Sequence, residues 1–206
     1  MPINIQKVSC GLLQENCYIV QLEGRDDCVV IDPGDDYPKL KAAAGDRRVG
    51  AVLLTHGHFD HIMAAGEMAR DFDAPVYVGA ADVEMLGDAE KSGYAGMMGI
   101  PRADWPAIDA TSYGEAVSVC GMDFTVLPTP GHSRGSVCLY LEDEGTLFSG
   151  DTMFRAGYGR LDLYGGNMRS MIESLKRLFA LPPDVKVWPG HGDATTIGEE
   201  RARYRL

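Results

Sequence analysis

The distribution of histidine is the feature that most constrains the fold of this chain. All five histidines among its 206 residues fall in three short segments, at 55–61, 130–133 and 189–192. Each segment follows an apolar run that is typical of a β-strand. Neutral imidazole is the commonest protein metal ligand. The fold must therefore bring strand ends as distant in sequence as His56 and His191 into one metal-binding pocket.

The first segment can serve two adjacent ions. His56 and His58 are two residues apart, so an extended loop can point both side chains in the same direction. Asp60 and His61 open the helix that follows and face a slightly different direction. For an isolated residue, a helix cap would be the simpler role for Asp60.

A further carboxylate completes the candidate set. Asp151 follows another strand-like run at 147–149, and a glycine precedes it, as one precedes His132 and His191. The candidate metal ligands are His56, His58, Asp60, His61, His132, Asp151 and His191. Seven side chains exceed the four positions of a tetrahedral zinc site, which favours two divalent ions with Asp151 as the bridging ligand. Nitrogen and oxygen donors suit Zn²⁺, and also Fe or Mn.

Two adjacent metal ions indicate hydrolysis as the reaction. They lower the pKa of a water held between them and polarise the attacked carbonyl, so no serine or cysteine nucleophile is needed. We expect Asp60 and Asp151 to be the catalytic carboxylates that orient the attacking hydroxide. The sequence contains neither a G-x-S-x-G motif nor a phosphate-binding loop.

The apolar pattern predicts an α/β fold with two similar halves. Strand-like runs occur in both halves, at 12–22, 28–31, 51–54, 75–78, 117–127, 136–141, 147–148 and 185–188. Apolar residues at helical spacing predict helices over 62–72 and from 168 onward, the second capped by Asn167. We therefore expect two sheets packed face to face with helices outside, forming one domain over 1–206. The irregular segment 80–111 either borders an active site or is a structural insertion.

Composition excludes several functional classes. The formal net charge of −11 argues against nucleic acid and against an anionic membrane surface as partners. No apolar run has the length of a membrane span, and the N-terminal residues do not resemble a signal peptide. The five cysteines include no C-x-x-C pair and mostly lie in strand-like runs, which favours buried thiols and a reduced, cytoplasmic setting. Nothing in the sequence specifies an oligomeric state.

The pattern His56-x-His58-x-Asp60-His61, with His132, Asp151 and His191 later in order, resembles the metallo-β-lactamase superfamily. This resemblance implies a four-layer αββα sandwich of two mixed β-sheets flanked by helices. It also implies one metal ion bound by His56, His58 and His132, and a second bound by Asp60, His61 and His191, with Asp151 bridging. Asp32 matches an early acidic residue of the family that supports the metal-binding loop; a simple turn role is the alternative.

Within that superfamily, the runs at 148–154, 159–163, 189–193 and 195–200 resemble glyoxalase II. A β-lactamase of the commonest zinc type would have a cysteine where Asp151 stands. The resemblance therefore implies a small-molecule acyl thioester as substrate, such as S-lactoylglutathione or a related conjugate. The C-terminal helical region with which glyoxalase II contacts glutathione has no counterpart in these 206 residues.

Three residues after Asp151 are candidate substrate contacts. Arg160 lies where the family has a basic substrate contact, and a structural salt bridge is the alternative role. Tyr158 and Tyr164 are its neighbours, for which packing is the alternative. A competing function is that of a persulfide dioxygenase, with a single iron bound by residues matching His56, His132 and Asp151.

Overall fold

The computed structural model describes residues 2–98, 105 and 108–204, and its strands form two six-stranded mixed sheets. The first sheet has the order β1 to β6, with β1, β2 and β3 antiparallel and β3 to β6 parallel. Its strands are β1 (Ile3–Cys10), β2 (Glu15–Leu22), β3 (Asp27–Ile31), β4 (Arg48–Leu53), β5 (Val76–Val78) and β6 (Ala110–Ser112).

The second sheet has the order β12-β11-β10-β9-β8-β7, and within it only the β10–β11 pair is parallel. Its strands are β7 (Ala116–Val119), β8 (Met122–Pro128), β9 (Val137–Leu141), β10 (Thr146–Gly150), β11 (Lys186–Pro189) and β12 (Thr195–Thr196). The acidic turn after Leu141 joins β9 to β10 as an antiparallel hairpin.

The two sheets pack face to face through one apolar cluster. Tyr18 and Ile31 of the first sheet lie in the same buried cluster as Phe124, Leu139 and Phe148 of the second. Strands β2 and β3 are almost wholly buried, which explains the apolar runs at 17–20 and 28–31 within them. Complete burial of a large apolar side chain contributes about 1.5–3 kcal/mol, so this cluster is a major source of stability.

Helices cover the outer face of each sheet. The helices are α1 (Tyr37–Ala44), α2 (Phe59–Ile62), α3 (Ala65–Phe72), α4 (Val83–Leu86), α5 (Tyr94–Met98), α6 (Met168–Leu178) and α7 (Ile197–Arg203). Leu40 of α1 and Met68 of α3 pack on the first sheet, and Met171 of α6 and Ile197 of α7 pack on the second. The four-layer αββα sandwich is thus confirmed.

Two predicted elements are wrong in detail. The helix over 62–72 is broken, because the Ala64 N–H donates to Pro33 O at 3.0 Å, and α3 begins only at Ala65. The single strand over 117–127 is a hairpin, since Cys120 and Gly121 both have positive φ, at 51° and 72°. Two consecutive residues of positive φ are what a type I′ turn requires.

Other boundaries depend on packing that the pattern does not reveal. Strand β1 was not predicted, because three of its eight side chains are exposed and only two are buried, so its apolar pattern is weak. Asn167 caps α6 as expected, accepting from Ser170 N at 2.9 Å, and Met168 at the start of the helix is exposed. The irregular segment 80–111 contains α4, α5 and the start of β6, while 99–104, 106 and 107 lie outside the described residues.

Within the described part of the chain, no helix has the length and hydropathy of a membrane span.

Candidate metal centre

The candidate ligands lie at one edge of the sandwich, after the ends of four strands. The loop after β4 carries the first histidine segment, and the turns after β8, β10 and β11 carry His132, Asp151 and His191. Strand β4 belongs to the first sheet and the other three strands to the second. Because these strand ends lie at the same edge of the sandwich, the loops that follow them lie close together. Residues that are remote in sequence thereby form a single cluster.

The first group consists of His56, His58 and His132. Each offers a ring nitrogen within 4.8 Å of those of the other two, and all three side chains are buried. His58 Nδ1 lies 2.7 Å from His132 Nε2, so both nitrogens face the same point. Three imidazoles directed at one point form a ligand set that suits a divalent ion.

The second group consists of Asp60, His61 and His191, whose ligand atoms also lie within 4.8 Å of one another. His191 Nε2 is 3.2 Å and His61 Nε2 is 3.8 Å from Asp60 Oδ2. Asp60 and His61 come from the short helix α2, and the His61 ring lies beside that of His56, with 4.1 Å between ring centroids. The same loop thus contributes to both groups.

Asp151 lies between the two groups. Its Oδ2 is 3.5 Å from His132 Nε2 of the first group and 3.7 Å from His191 Nε2 of the second. Its Oδ1 is 3.4 Å from His61 Nε2. This is the position from which one carboxylate can contact two ions.

The hydrogen-bond partners of the candidate ligand atoms indicate whether metal ions would fit this site. His56 Nε2, His61 Nε2 and Asp151 Oδ1 are buried and have no hydrogen-bond partner among the described residues. A buried polar atom without a partner costs free energy, and native proteins rarely leave several such atoms side by side. Metal coordination would satisfy these atoms, so the residues present fit divalent ions.

Burial and mutual charge set the protonation of the cluster. Burial lowers the pKa of His58 to about 3 and holds the pKa of His56 well below its ordinary value. Both rings are therefore neutral and keep a lone pair for a metal. Burial also opposes charge on His61, but the Asp151 and Asp60 carboxylates outweigh it and raise the pKa of His61. Burial likewise opposes charge on Asp151, but the charges of His61, His132 and His191 and the hydrogen bond from His61 together lower the pKa of Asp151.

Asp32 anchors the first ligand loop from behind. Its Oδ2 accepts from His61 Nδ1 at 2.9 Å and from Thr55 Oγ1 at 2.6 Å, and its Oδ1 accepts from Thr55 N at 2.7 Å. A carboxylate on the far ring nitrogen fixes the orientation of a ligating imidazole. Asp32 also has φ 49°, so it forms a tight turn as well as contacting the ligand loop, and its support of a bound metal remains a prediction.

Asp82 connects two ligand loops, and sequence reasoning missed it. Its carboxylate accepts from Gly57 N at 3.0 Å, from Gly135 N at 2.6 Å and from Ser133 Oγ at 2.5 Å. It is fully buried. Gly57 lies between two candidate ligands and Ser133 follows a third, so Asp82 holds the first and second histidine segments together. Nothing in its local sequence distinguishes it from a surface aspartate.

Strand β2 holds the third histidine segment in place. Sequence reasoning missed this contact as well. Asn16 N donates to Gly190 O at 2.7 Å and Asn16 Nδ2 donates to Gly192 O at 2.9 Å. The Tyr18 hydroxyl donates to Pro189 O at 2.6 Å. The first sheet thereby fixes a loop of the second sheet. An asparagine directly before the apolar run at 17–20 was the signal available.

The three candidate substrate residues have structural partners. The Arg160 guanidinium forms two hydrogen bonds of 2.7 Å with Asp162, and its backbone oxygen lies 2.7 Å from His132 Nδ1. The Tyr164 hydroxyl donates to Glu84 at 2.9 Å. The Tyr158 ring lies 6.4 Å from that of Tyr204. Substrate contact by these residues remains a prediction.

A cavity of about 320 Å³ opens above the cluster. Among the described residues, five candidate ligands line its floor, and five apolar side chains, one serine and Arg160 line its walls. The floor residues are His58, Asp60, His132, Asp151 and His191. The apolar residues are Leu13, Phe59, Met97, Phe154 and Leu163. A small molecule in this cavity would contact both groups of ligands.

A family profile described as "Metallo-beta-lactamase superfamily" matches residues 10–191 of the chain. The chain belongs to the metallo-β-lactamase superfamily. It is 34% identical to the "Probable metallo-hydrolase YqgX" of Bacillus subtilis, over 95% of this chain and 93% of that protein. It is 30% identical to the "Hydroxyacylglutathione hydrolase GloC" of Haemophilus influenzae, over 97% and 95%. The chain is thus a member of a metallo-hydrolase family.

Solved structures agree with this membership. The B3 metallo-β-lactamase BLEG-1 superposes with a TM-score of 0.90 at 33% identity, covering 97% of each chain. The protein TTHA1623, solved in a di-iron-bound form, superposes with a TM-score of 0.83 at 39% identity, covering 95% of this chain and 96% of that one. The His and Asp cluster of this superfamily member is accordingly of the kind that binds divalent metal ions.

Proposed function

We propose that this superfamily member is a binuclear metal-dependent hydrolase that cleaves a small acyl thioester, such as S-lactoylglutathione or a related thioester. The single observation that carries the proposal is the pair of ligand groups with Asp151 between them. The similarity to a hydroxyacylglutathione hydrolase supports the thioester. Zn²⁺ is the proposed metal, and Fe or Mn would suit the same donors.

In the proposed arrangement, His56, His58 and His132 hold one ion, and Asp60, His61 and His191 hold the other, with Asp151 shared. When bound, two divalent ions lower the pKa of a water between them and polarise the substrate carbonyl. The neutral rings of His56 and His58 are ready to coordinate without first losing a proton.

The protein's own groups then orient the reaction. Asp60 and Asp151 lie on the cavity floor, where their carboxylates can accept a hydrogen bond from the attacking water and so direct it. Asp32 keeps His61 in one orientation, because its carboxylate occupies the far ring nitrogen. A thiolate is a good leaving group at neutral pH, so cleavage demands little help from a general acid.

The second ligand group disfavours the competing persulfide dioxygenase. A single iron bound by His56, His132 and Asp151 would leave Asp60 and His191 without a metal, although they lie 3.2 Å apart in the same cavity. Elemental analysis and oxygen uptake with glutathione persulfide separate the two functions. One iron per chain with rapid uptake would refute the hydrolase.

The first test is turnover of S-lactoylglutathione and of simpler thioesters by the zinc-loaded protein. We expect His58→Ala and Asp60→Ala each to lower kcat/KM by more than about 100-fold, because loss of a ligand exceeds the typical 10–100-fold effect of its supporting residues. Asp143→Ala is the control, since this exposed residue lies in the turn between β9 and β10. Unchanged turnover in both ligand variants would reduce the site to a binding or structural role.

We also propose that residues 1–206 act as one domain in a reduced, cytoplasmic setting. The cluster between the sheets supports the domain, because it draws on strands from both halves of the chain. The cysteines support the setting, since all five are buried free thiols.

A further inference from the structure

The walls of the cavity differ in character from its floor. Leu13, Met97, Phe154 and Leu163 come from four separate segments of the chain, and each presents an apolar side chain to the cavity. Leu13 is 36% exposed and Met97 is 38% exposed. A hydrocarbon group bound against them would remove their remaining apolar surface from water, which favours binding.

These apolar side chains flank both ligand groups. The Phe154 ring lies edge-on to the imidazole of His191, with 6.0 Å between ring centroids. Leu163 and the ring of His58 both border Gly93, where an added Cβ would lie 3.5 Å from Leu163 Cδ1 and 3.9 Å from His58 Cδ2. An apolar surface therefore adjoins the proposed reaction centre on two sides.

The described part of the cavity wall offers no free cation to an anionic substrate. Arg160 is the one basic side chain among these lining residues, and Asp162 occupies its guanidinium through two hydrogen bonds. The remaining charged lining residues are Asp60 and Asp151, which face histidines. Recognition of a carboxylate by an arginine would require the guanidinium fork to be open.

We propose that the site selects substrates that carry a hydrocarbon chain beside the thioester, and that Leu13, Met97, Phe154 and Leu163 determine this specificity. The reaction rests on the proposed hydrolase function, whereas binding of the chain does not. The chain can belong to the acyl group or to the thiol, since apolar side chains lie beside both ligand groups.

Calorimetric binding of non-hydrolysable ketone thioethers to the zinc-loaded protein tests the proposal. One series extends the chain beyond the carbonyl from two to eight carbons on a constant N-acetylcysteamine thiol. The other keeps a 2-oxopropyl group constant and lengthens an S-alkyl chain. We expect Kd to fall by up to about fourfold per buried methylene in at least one series, which also identifies the side that binds. No dependence on length in either series would overturn the proposal.

Adjacent leucines provide a matched pair of variants. Leu13 lines the cavity, whereas its neighbour Leu12 lies on the same loop, is 78% exposed and is not among the lining residues. We expect Leu13→Ala to weaken binding of the longest probe about fivefold and to leave the shortest probe unchanged, because it removes apolar contact area. Leu12→Ala should leave both affinities unchanged. Equal effects of the two variants would contradict a specific role for Leu13.

The two proposals fail separately. A steep dependence of Kd on chain length without hydrolysis of any thioester would refute the proposed reaction and support the hydrocarbon-binding wall. Thioester hydrolysis combined with probe affinities that do not depend on chain length would support the proposed reaction and refute the hydrocarbon-binding wall.

Discussion

Asp82 illustrates how much one buried residue contributes to this site. It binds no metal in the proposed arrangement, yet its three hydrogen bonds join the loop of His56 and His58 to the loop of His132. Burying a carboxylate costs desolvation free energy, and burial accordingly raises the pKa of Asp82. We therefore regard it as a positioning residue for the first ligand group.

We expect Asp82→Asn to weaken binding of the ion in the first group by about 10–100-fold, as is typical when a residue that orients ligands is altered. The amide keeps the shape but presents an N–H₂ group to one of the donors. Competition with a chromophoric chelator measures the affinity. Asp88→Asn is the control, because Asp88 also accepts from two backbone N–H groups, those of Glu90 and Lys91, but away from the cluster. Equal metal affinities in the two variants would refute the positioning role.

The buried histidines make the stability of the metal-free protein depend on pH. Burial lowers the pKa of folded His58 to about 3, whereas an unfolded histidine titrates near 6.5. As pH falls from about 6.5 towards 3, the unfolded chain takes up a proton that folded His58 does not, so the folded state loses stability. His61 has the opposite sign, because its pKa is raised.

A variant isolates the contribution of His58. Between pH 7.5 and 4.5, we expect the unfolding free energy of the metal-free wild type to fall by about 2 kcal/mol relative to that of His58→Gln. Urea denaturation at both pH values measures this difference. Parallel pH profiles for the two proteins would show that His58 is not held neutral by burial.

At the level of elements, α7 fixes the loop that carries Phe154. The buried carboxylate of Glu200 accepts from Thr195 Oγ1 at 2.7 Å and from Ala156 N at 2.9 Å. Ala156 has φ 64°, a conformation that a residue other than glycine adopts only when its surroundings hold it. A helix that follows the last candidate ligand thus determines the shape of the cavity wall.

We expect Glu200→Gln to lower the unfolding free energy by about 1.5–3 kcal/mol, the value of a hydrogen bond to a buried charged group. Glu199→Gln is a matched control. Glu199 is exposed, and of the two hydrogen-bond donors to Glu200 its carboxylate accepts only from the Thr195 hydroxyl. Chemical denaturation of both variants measures the difference. A loss as large in Glu199→Gln would contradict the anchoring role of Glu200.

For the whole molecule, metal ions held as proposed would join loops from both sheets, so their removal should weaken the entire sandwich. A ligand present at 1,000 times its Kd stabilises the folded state by about 4 kcal/mol. In a domain of this size that corresponds to a fall in Tm of about 10 °C on chelation. Thermal unfolding combined with elemental analysis checks this, and we expect two ions per chain to restore the Tm. Full recovery with one ion would contradict the binuclear centre.

The layered fold and the candidate ligands could be predicted from the sequence because their signals are local. Apolar runs mark the buried strands, and each histidine segment directly follows such a run. Convergence at one edge then follows from packing two sheets that both end there. The Asn167 cap was equally accessible, since its partner, Ser170, is three residues away.

Only the tertiary structure decided the contacts that orient those ligands. The partners of Asp82 lie 25 to 53 residues away in sequence, and Glu200 reaches back 44 residues to Ala156. The break before α3 likewise depends on the carbonyl of Pro33, a residue outside the helical pattern. A periodic pattern reports which face of an element is buried, but not which distant backbone group a buried side chain will meet. That depends on how the sheets and loops pack, which is a property of the whole fold.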